Sequence, residues 1–335
     1  MMKRFLMFVM VVLFLAVFAA CGGGENVPPA VDYVTENGTG NGVENVEPVT
    51  DPLRVIATIF PQYDFVRRIG GGRVDLSLLI SPGAESHGFE PTPRDMIEIG
   101  QADLLIHVGG HKDDWVAPIL AAVGQEDMPT IALLDMVEAI VVEHTEDCDD
   151  DECDFPHHVE HYDEHVWTCP RNVIIIAEEL ANILAEKDPA NAEFFRTNAA
   201  EFITELQELD RAFIEVVENG VRSTIVFGDR FPFLYFVNTY GLTHFSAFDG
   251  CCVDTQVSPA TIASMITLVR DEEIPVVFHI ELSNRAIANT IAEDTGAQLL
   301  EFHSAHNVTH ADFNNGVTYL DLMWRNLENL RIALN

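Results

Sequence analysis

The sequence predicts an α/β protein with two lobes, each built on a parallel sheet flanked by helices, and one long helix joining them. Short apolar runs alternate with helical patterns in both halves of the chain, and this alternation is typical of parallel sheets. Between the halves, apolar residues recur at alternating spacings of four and three as far as Asn219. This pattern predicts one continuous helix of about 28 residues.

Composition and charge narrow the class of function. The chain has 335 residues and 48% hydrophobic content, enough for about two ordinary domains. Its 18 basic and 54 acidic residues leave a formal net charge of −36. This charge argues against nucleic-acid binding, which needs a basic surface, and it suits a protein that attracts cations.

The N-terminal residues 1–21 predict a lipoprotein signal peptide. Two basic residues precede the apolar run 5–20, which ends in small residues before Cys21. The run is short for a membrane span of ~20 residues, and its end resembles a lipobox, in which Cys21 would be acylated. Residues 22–51 are rich in Gly, Asn, Glu and Pro, which predicts a flexible tether. We therefore expect an extracytoplasmic protein anchored to the cell membrane by lipid.

Residues 52–187 are predicted to form the N-terminal lobe. Its expected strands are 53–60, 74–80, 103–108 and 129–135, and its expected helices are 65–71, 91–100 and 172–187. His87 follows the second strand in a loop rich in proline and glycine. Ligands of open α/β sheets bind beyond the carboxyl ends of strands, but a single histidine is more often structural, so spacing alone does not make His87 a ligand.

An acidic, histidine-rich segment, residues 143–164, interrupts this lobe. It holds eleven carboxylates, four histidines and two cysteines, without Lys or Arg. Such a composition predicts a solvated loop, yet its side chains are donors for divalent cations. The carboxylates alone favour an ordinary charged surface loop. The histidines among them favour a metal-handling loop, with His144, His157, His158 and His161 as accessory ligands.

The cysteines leave their pairing open. With Cys21 acylated, an odd number remains: Cys148, Cys153, Cys169, Cys251 and Cys252. The first two fit either a local disulfide or a thiolate pair, and adjacent cysteines do not easily bridge each other.

Residues 188–219 are predicted to form the connecting helix, and residues 220–335 the C-terminal lobe. A coiled-coil dimer is the other interpretation of the helix spacing, but α/β patterns on both sides favour a single interdomain helix in a monomer. The expected strands of the second lobe are 224–227, 243–248, 276–280 and 298–302, and its expected helices are 233–240, 258–270, 284–295 and 314–334.

Two motifs resemble the zinc and manganese substrate-binding lipoproteins of ABC importers, the ZnuA/TroA type. The segment ISPGAESHGFEPTPRD (80–95) is similar to their PG-x-x-x-H-x-[YF]-EPTP-x-D motif, and HVWTCP (165–170) to H-x-W-x-x-P. The resemblance extends from about Leu53 to the C-terminus. It implies a metal site in the cleft between the lobes, with His87 and His165 as ligands. It also implies an ABC permease as partner. The zinc importers that this chain resembles often carry an acidic, histidine-rich loop just before the second histidine, as this chain does.

The resemblance leaves the third and fourth ligands open. Where its members carry [HE]-D-A-F-x-Y-x-x-x-x-[YF]-G-L, this chain has GDRFPFLY followed by YGL, and Gly228 offers no ligating side chain. Asp229 is one substitute, with helix capping as its alternative role. Glu281 is the better one, because it directly follows a predicted strand. His303 lies closest to the fourth position. We expect His306 in an exposed loop or behind the ligands, and His279 in the core.

The expected function is capture of Zn²⁺ as transported ligand and its delivery to the permease, without enzymatic activity. Three imidazoles (His87, His165, His303) with one carboxylate suit Zn²⁺, whereas Mn²⁺ favours more oxygen ligands. The acidic loop would either gather and buffer zinc or act as a sensor. A secreted zinc-dependent hydrolase is the alternative, although neither H-E-x-x-H nor G-x-S-x-G occurs. A metal-binding adhesin is a third interpretation, without adhesive repeats to support it.

Overall fold

The computed structural model describes residues 51–84, 89–142, 161–248 and 257–335. The fold contains two four-stranded parallel sheets with flanking helices. This arrangement confirms the predicted two-lobed α/β class. No helix within these ranges combines the length and the apolar character that a membrane crossing requires. Several predicted features lie outside the described residues, namely the signal peptide with Cys21, the tether up to residue 50, His87, His144, His157, His158 and four of the cysteines.

The first sheet has the strand order β2-β1-β3-β4. Its strands are β1 (Leu53–Ala57), β2 (Val74–Leu78), β3 (Leu104–His107) and β4 (Thr130–Ala132), and its helices are α1 (Phe60–Gly70), α2 (Pro93–Ile99) and α3 (Val116–Ala122). The first strand ends three residues earlier than predicted. Gln62 Oε1 accepts hydrogen bonds from the Thr58 hydroxyl at 3.0 Å and the Ile59 N–H at 2.9 Å. These bonds cap α1, so the chain turns into the helix at Phe60.

A short antiparallel hairpin stands at the base of the acidic segment. It pairs β5 (Val141–Val142) with β6 (His161–Tyr162). Just beyond the paired residues, the Asp163 N–H donates to the Ile140 carbonyl at 2.9 Å. The two ends of the acidic segment are therefore held side by side, next to the residues that lead to His165.

Helices α4 (Pro170–Lys187) and α5 (Ala192–Asn219) connect the lobes, and α5 has the 28 residues that its spacing predicts. One face of α5 is buried through Phe195, Ala199, Phe202, Leu206, Leu209, Phe213 and Val216. Each large apolar side chain of this kind stabilises the fold by about 1.5–3 kcal/mol when fully buried. The same hydrophobic cluster includes Val55 of β1 and Phe278 of the second sheet, so the lobes share one core along this helix.

The second sheet has the order β10-β9-β7-β8. Its strands are β7 (Thr224–Phe227), β8 (Thr243–Ser246), β9 (Val276–His279) and β10 (Gln298–Glu301), and its helices are α6 (Leu234–Tyr240), α7 (Pro259–Asp271), α8 (Ala286–Thr295), α9 (His310–Asn314) and α10 (Tyr319–Leu334). The predicted closing helix 314–334 begins only at Tyr319. Gly316 takes a φ of 73°, and a reciprocal Thr318–Asp321 capping box then starts α10.

Candidate metal centre

A small cavity, which we call the imidazole cavity, lies beyond the carboxyl ends of the first sheet. Thr58 and Val108, which directly follow β1 and β3, line it together with His165 and, from the second lobe, His306. Its volume is about 30 Å³, which leaves room for one or two water molecules. A cavity of this size suits a single ion.

His165 is oriented in this cavity by a carboxylate. Its side chain is 5% exposed, and Asp163 Oδ1 lies 3.1 Å from its Nδ1 and accepts its backbone N–H at 2.8 Å. Because a carboxylate accepts the proton on Nδ1, Nε2 keeps its lone pair for a metal. This aspartate–histidine pair is the arrangement that fixes metal-binding imidazoles in proteins.

The second lobe holds Asp163 in place through Tyr235 of α6. The Tyr235 hydroxyl donates to the Asp163 carbonyl at 2.7 Å and accepts from the Ile140 N–H at 3.1 Å. Burial raises the pKa of Tyr235 to about 12, so the phenol keeps its proton at neutral pH and remains a donor. The orientation of His165 thus depends on a contact between the lobes.

His306 brings a second imidazole into the cavity from the loop after β10. Its ring centroid lies 5.8 Å from that of His165 and 5.2 Å from that of Trp167. Ala305 takes a φ of 59°, a left-handed conformation uncommon for alanine, and the chain reverses there. The sequence placed His306 in an exposed loop or behind the ligands, whereas the structure places it, half-buried, in the cavity lining. A histidine in the loop that follows a predicted parallel strand was the one available signal.

Glu281 and His303 lie together behind this loop. The Glu281 carboxylate accepts the Ser304 N–H at 2.7 Å, the His306 N–H at 3.2 Å and the Ser304 hydroxyl. His303 Nδ1 accepts the Ala305 N–H at 2.9 Å and lies 3.6 Å from Glu281 Oε2. Among the described residues, His303 is not part of the imidazole-cavity lining. The structure thus pairs His303 with Glu281 and, separately, His165 with His306.

A wider cavity of about 500 Å³ adjoins the carboxyl ends of β7 and β9, and both Glu281 and His306 line it. Asp229 lines it as well, but its Oδ1 accepts the Arg230 N–H at 2.9 Å and its Oδ2 the Ile280 N–H at 3.3 Å. These bonds brace the ends of two strands and do not form the helix cap that was the alternative role for Asp229.

Gly228 is required by packing. A Cβ at this position would stand 2.4 Å from the Ala288 Cα in α8, so no side chain fits. Counted back from Tyr240-Gly241-Leu242, the first position of the [HE]-D-A-F-x-Y pattern falls on Arg230 rather than on Gly228. Arginine is always protonated in proteins and offers no lone pair to a metal. This chain therefore lacks an ordinary third ligand at either position.

The imidazole-cavity lining also contains an oppositely charged pair, Lys112 and Glu164. Glu164 Oε1 accepts the Lys112 backbone N–H at 3.2 Å, and the Lys112 ammonium lies 3.9 Å from Glu164 Oε2. Gly110 takes a φ of 80°, and a Cβ there would stand 2.6 Å from Glu164 Oε1. The close approach of this glycine lets the carboxylate reach the Lys112 turn.

The described segments on both sides of His87 contact the site. Asn307, next to His306, donates to the carbonyls of Ser81 at 3.0 Å and Ala84 at 2.8 Å. On the other side, the Phe89 ring packs edge-on against Trp115 of the cavity lining, with centroids 5.5 Å apart. Within the part of the chain that the structure describes, no group of three or more His, Cys, Asp or Glu is arranged to hold a metal.

Fold and site together define a class: two-lobed α/β proteins with an ion-sized cavity that draws imidazoles from both lobes. The family model described as "Zinc-uptake complex component A periplasmic" matches residues 55–333. The chain belongs to this family, as its motifs predict.

Individual relatives agree with this assignment. The chain is 28% identical over 279 residues to the zinc-binding lipoprotein AdcA of Streptococcus pneumoniae, covering 83% of this chain and 55% of the relative. It thus spans about half the length of that protein. It is also 28% identical over 290 residues to the high-affinity zinc uptake system protein ZnuA of Bacillus subtilis, covering 85% and 88%. The crystal structure of the Zn(II)-bound ZnuA-like domain of S. pneumoniae AdcA matches with a TM-score of 0.69 at 25% identity, covering 84% of this chain and 99% of that one.

Proposed function

We propose that this chain is the substrate-binding component of a zinc uptake transporter, which captures Zn²⁺ between its lobes and delivers it to an ABC permease. The observation that carries the proposal is the pair of imidazoles, His165 and His306, lining one ion-sized cavity from opposite lobes. Imidazole nitrogen is a preferred zinc ligand, and the relatives AdcA and ZnuA are named for zinc binding and zinc uptake.

We propose His87 as the third ligand, since its motif supplies a ligand in the family it resembles and its described flanks contact Asn307 and Trp115. Glu281 is our candidate for a fourth, carboxylate ligand, because it lines the wider cavity beside His306. Asp229 remains the alternative carboxylate. We assign His303 a bracing role, since its Nδ1 accepts the Ala305 N–H.

Delivery rather than catalysis explains the rest of the molecule. We propose a protein without enzymatic activity, because the relatives AdcA and ZnuA are named for zinc binding and zinc uptake. We further propose that acylated Cys21 and the tether of residues 22–51 anchor it, as a monomer, beside the permease. The relatives named above do not favour the hydrolase or the adhesin interpretation.

A competitive zinc titration against a chromophoric chelator tests this proposal on soluble protein comprising residues 22–335. We expect one tight site, abolished by His165→Ala or His87→Ala and strongly weakened by His306→Ala. His303→Ala should weaken it less, because that residue acts through the loop backbone. Tight binding that survives both His165→Ala and His306→Ala would refute the assigned centre.

A second arm separates the centre from the acidic segment. The deletion should remove residues 143–160 and join β5 to β6 by a short turn, because β6 and Asp163 belong to the described fold. We expect the tight site to remain and weaker, additional zinc equivalents to disappear. Loss of the tight site in this variant would place it in the acidic segment. Zinc-dependent hydrolysis of esters or peptides, abolished by His87→Ala, would instead support the enzyme interpretation.

A further inference from the structure

The charged end of the Lys112 side chain is buried, which is unusual for a lysine. Its side chain is 27% exposed as a whole, yet its Nζ is buried and has no hydrogen-bond partner among the described residues. Lysines normally do the reverse, burying the aliphatic stem and keeping the ammonium in water. A buried ammonium without hydrogen bonds is costly, so a specific role has to offset that cost.

Lys112 belongs to the lining of the cavity assigned to the metal. Lys112 lines the imidazole cavity together with His165 and His306. Its only carboxylate partner within the described part of the chain is Glu164, at 3.9 Å, which exceeds hydrogen-bond length. The other acidic group of the lining, Asp113, points its Oδ2 to the Gly109 N–H at 2.8 Å and to His107 Nδ1 at 3.0 Å. Among the described residues, the ammonium of this cavity-lining lysine thus has no dedicated hydrogen-bond partner.

We propose that the Lys112 ammonium is a tethered cation that occupies the zinc site when no metal is bound and that zinc displaces into solvent. This inference rests on the proposed zinc function. A divalent ion and an ammonium repel each other strongly at such short range in a half-buried site. The partly exposed stem of Lys112 gives the ammonium a path outward, since only its head is enclosed.

Displacement has two consequences for a delivery protein. The affinity for zinc is lowered by the free energy of expelling the ammonium, and the returning ammonium favours release of the ion at the permease. Lys112 is therefore an affinity-determining residue rather than a ligand. Removing its charge while keeping its length, as in Lys112→Met, should tighten zinc binding by about tenfold or more and slow release to a chelator by a similar factor.

Amine labelling tests the displacement directly, because lysines are rare in this chain. Soluble protein comprising residues 22–335 contains two lysines, Lys112 and Lys187, and Lys187 is exposed at the end of α4. Reductive methylation followed by peptide mass spectrometry then reports on each site separately. We expect zinc to accelerate labelling of Lys112, leave Lys187 unchanged, and lose its effect when a chelator is added.

The outcomes separate this proposal from the function on which it rests. Zinc binding with unchanged or slower labelling of Lys112, or an unchanged affinity of Lys112→Met, would overturn the tethered-cation role and leave the zinc function standing. Absence of tight zinc binding in the unaltered protein would overturn the function itself. Lys112→Arg, which keeps the charge, serves as the matched control and should stay within a few-fold of the unaltered affinity, far from the gain of Lys112→Met.

Discussion

Removing the carboxylate of Asp163 should weaken zinc binding without removing a ligand. Asp163 Oδ1 receives both the backbone N–H of His165 and the proton on Nδ1, at 2.8 and 3.1 Å, and the two side chains are only 8% and 5% exposed. In Asp163→Ala the imidazole loses the group that fixes its tautomer and its ring orientation. Loss of such a partner costs about 10–100-fold in metal affinity, or about 1.4–2.7 kcal/mol.

The size of the loss should follow the chemistry of the replacement. Asp163→Asn keeps an oxygen that can accept the Nδ1 proton but loses the negative charge, so its affinity should fall between that of Asp163→Ala and that of the unaltered protein. Charge-assisted hydrogen bonds are roughly twice as strong as neutral ones. A zinc affinity that falls from the unaltered protein to Asp163→Asn and further to Asp163→Ala would indicate that the carboxylate orients the imidazole.

The assay is the same competitive titration, accompanied by thermal unfolding to show that each variant is folded. Asp114→Ala is the matched control, because Asp114 also pairs with a histidine, His111, but both side chains are largely exposed. We expect no change in affinity there. A folded Asp163→Ala protein that binds zinc as tightly as the control would refute the orienting role of Asp163 and weaken the assignment of His165.

Three further predictions concern the frame around the site. Gly228→Ala should lower the free energy of unfolding by about 1–3 kcal/mol, because the new Cβ would lie 2.4 Å from the backbone of α8. Gly72→Ala is the control, since the space around Gly72 is open. It should leave thermal unfolding unchanged. Tyr235→Phe should weaken zinc binding and lower the melting temperature together, because the Asp163 carbonyl and the Ile140 N–H lose their shared partner; an unchanged zinc affinity would contradict the coupling. Burial lowers the pKa of His244 below 6.5. The stabilising contribution of the neutral imidazole is therefore complete above about pH 6.5, and it is lost as the pH falls through the lowered pKa. His244→Phe, which keeps the stacking on Phe231, should therefore show a shallower loss of melting temperature between pH 7.5 and 5.5; parallel curves would contradict this.

The fold was predictable because its signals are periodic. The apolar spacing of α5 and the alternation of strands and helices depend on burial along one face, and the structure reproduces both. Boundaries were less predictable where a side chain competes with the apolar pattern. The predicted strand 53–60 is mostly apolar up to Phe60, yet Gln62 accepts hydrogen bonds from the Thr58 hydroxyl and the Ile59 N–H and starts a helix.

The site was only partly predictable, because its members come from loops whose geometry is not periodic. His165 carried a motif, and the structure places it in the lining of the imidazole cavity. His303 and His306 lie three residues apart in one loop, and the chain takes a left-handed conformation at Ala305 between them, which the sequence does not signal. Around Gly228 the sequence allows two registers: an aspartate at position 229 resembles the family pattern, whereas counting back from Tyr240-Gly241-Leu242 places Arg230 at the first position.

The contacts across the lobes bear on how the protein would open. Tyr319 of α10 donates its N–H to Asp64 of α1 at 2.7 Å and its hydroxyl to the Trp167 carbonyl at 2.8 Å, while the Trp167 indole donates to the Ser304 carbonyl at 2.8 Å. These buried bonds join the loops that carry His165 and His306. Wide opening of the lobes would break all of them and expose polar groups that are satisfied when the cleft is closed. Entry and release of the ion therefore favour local changes at the cavity, such as displacement of the Lys112 ammonium, over a rigid-body hinge.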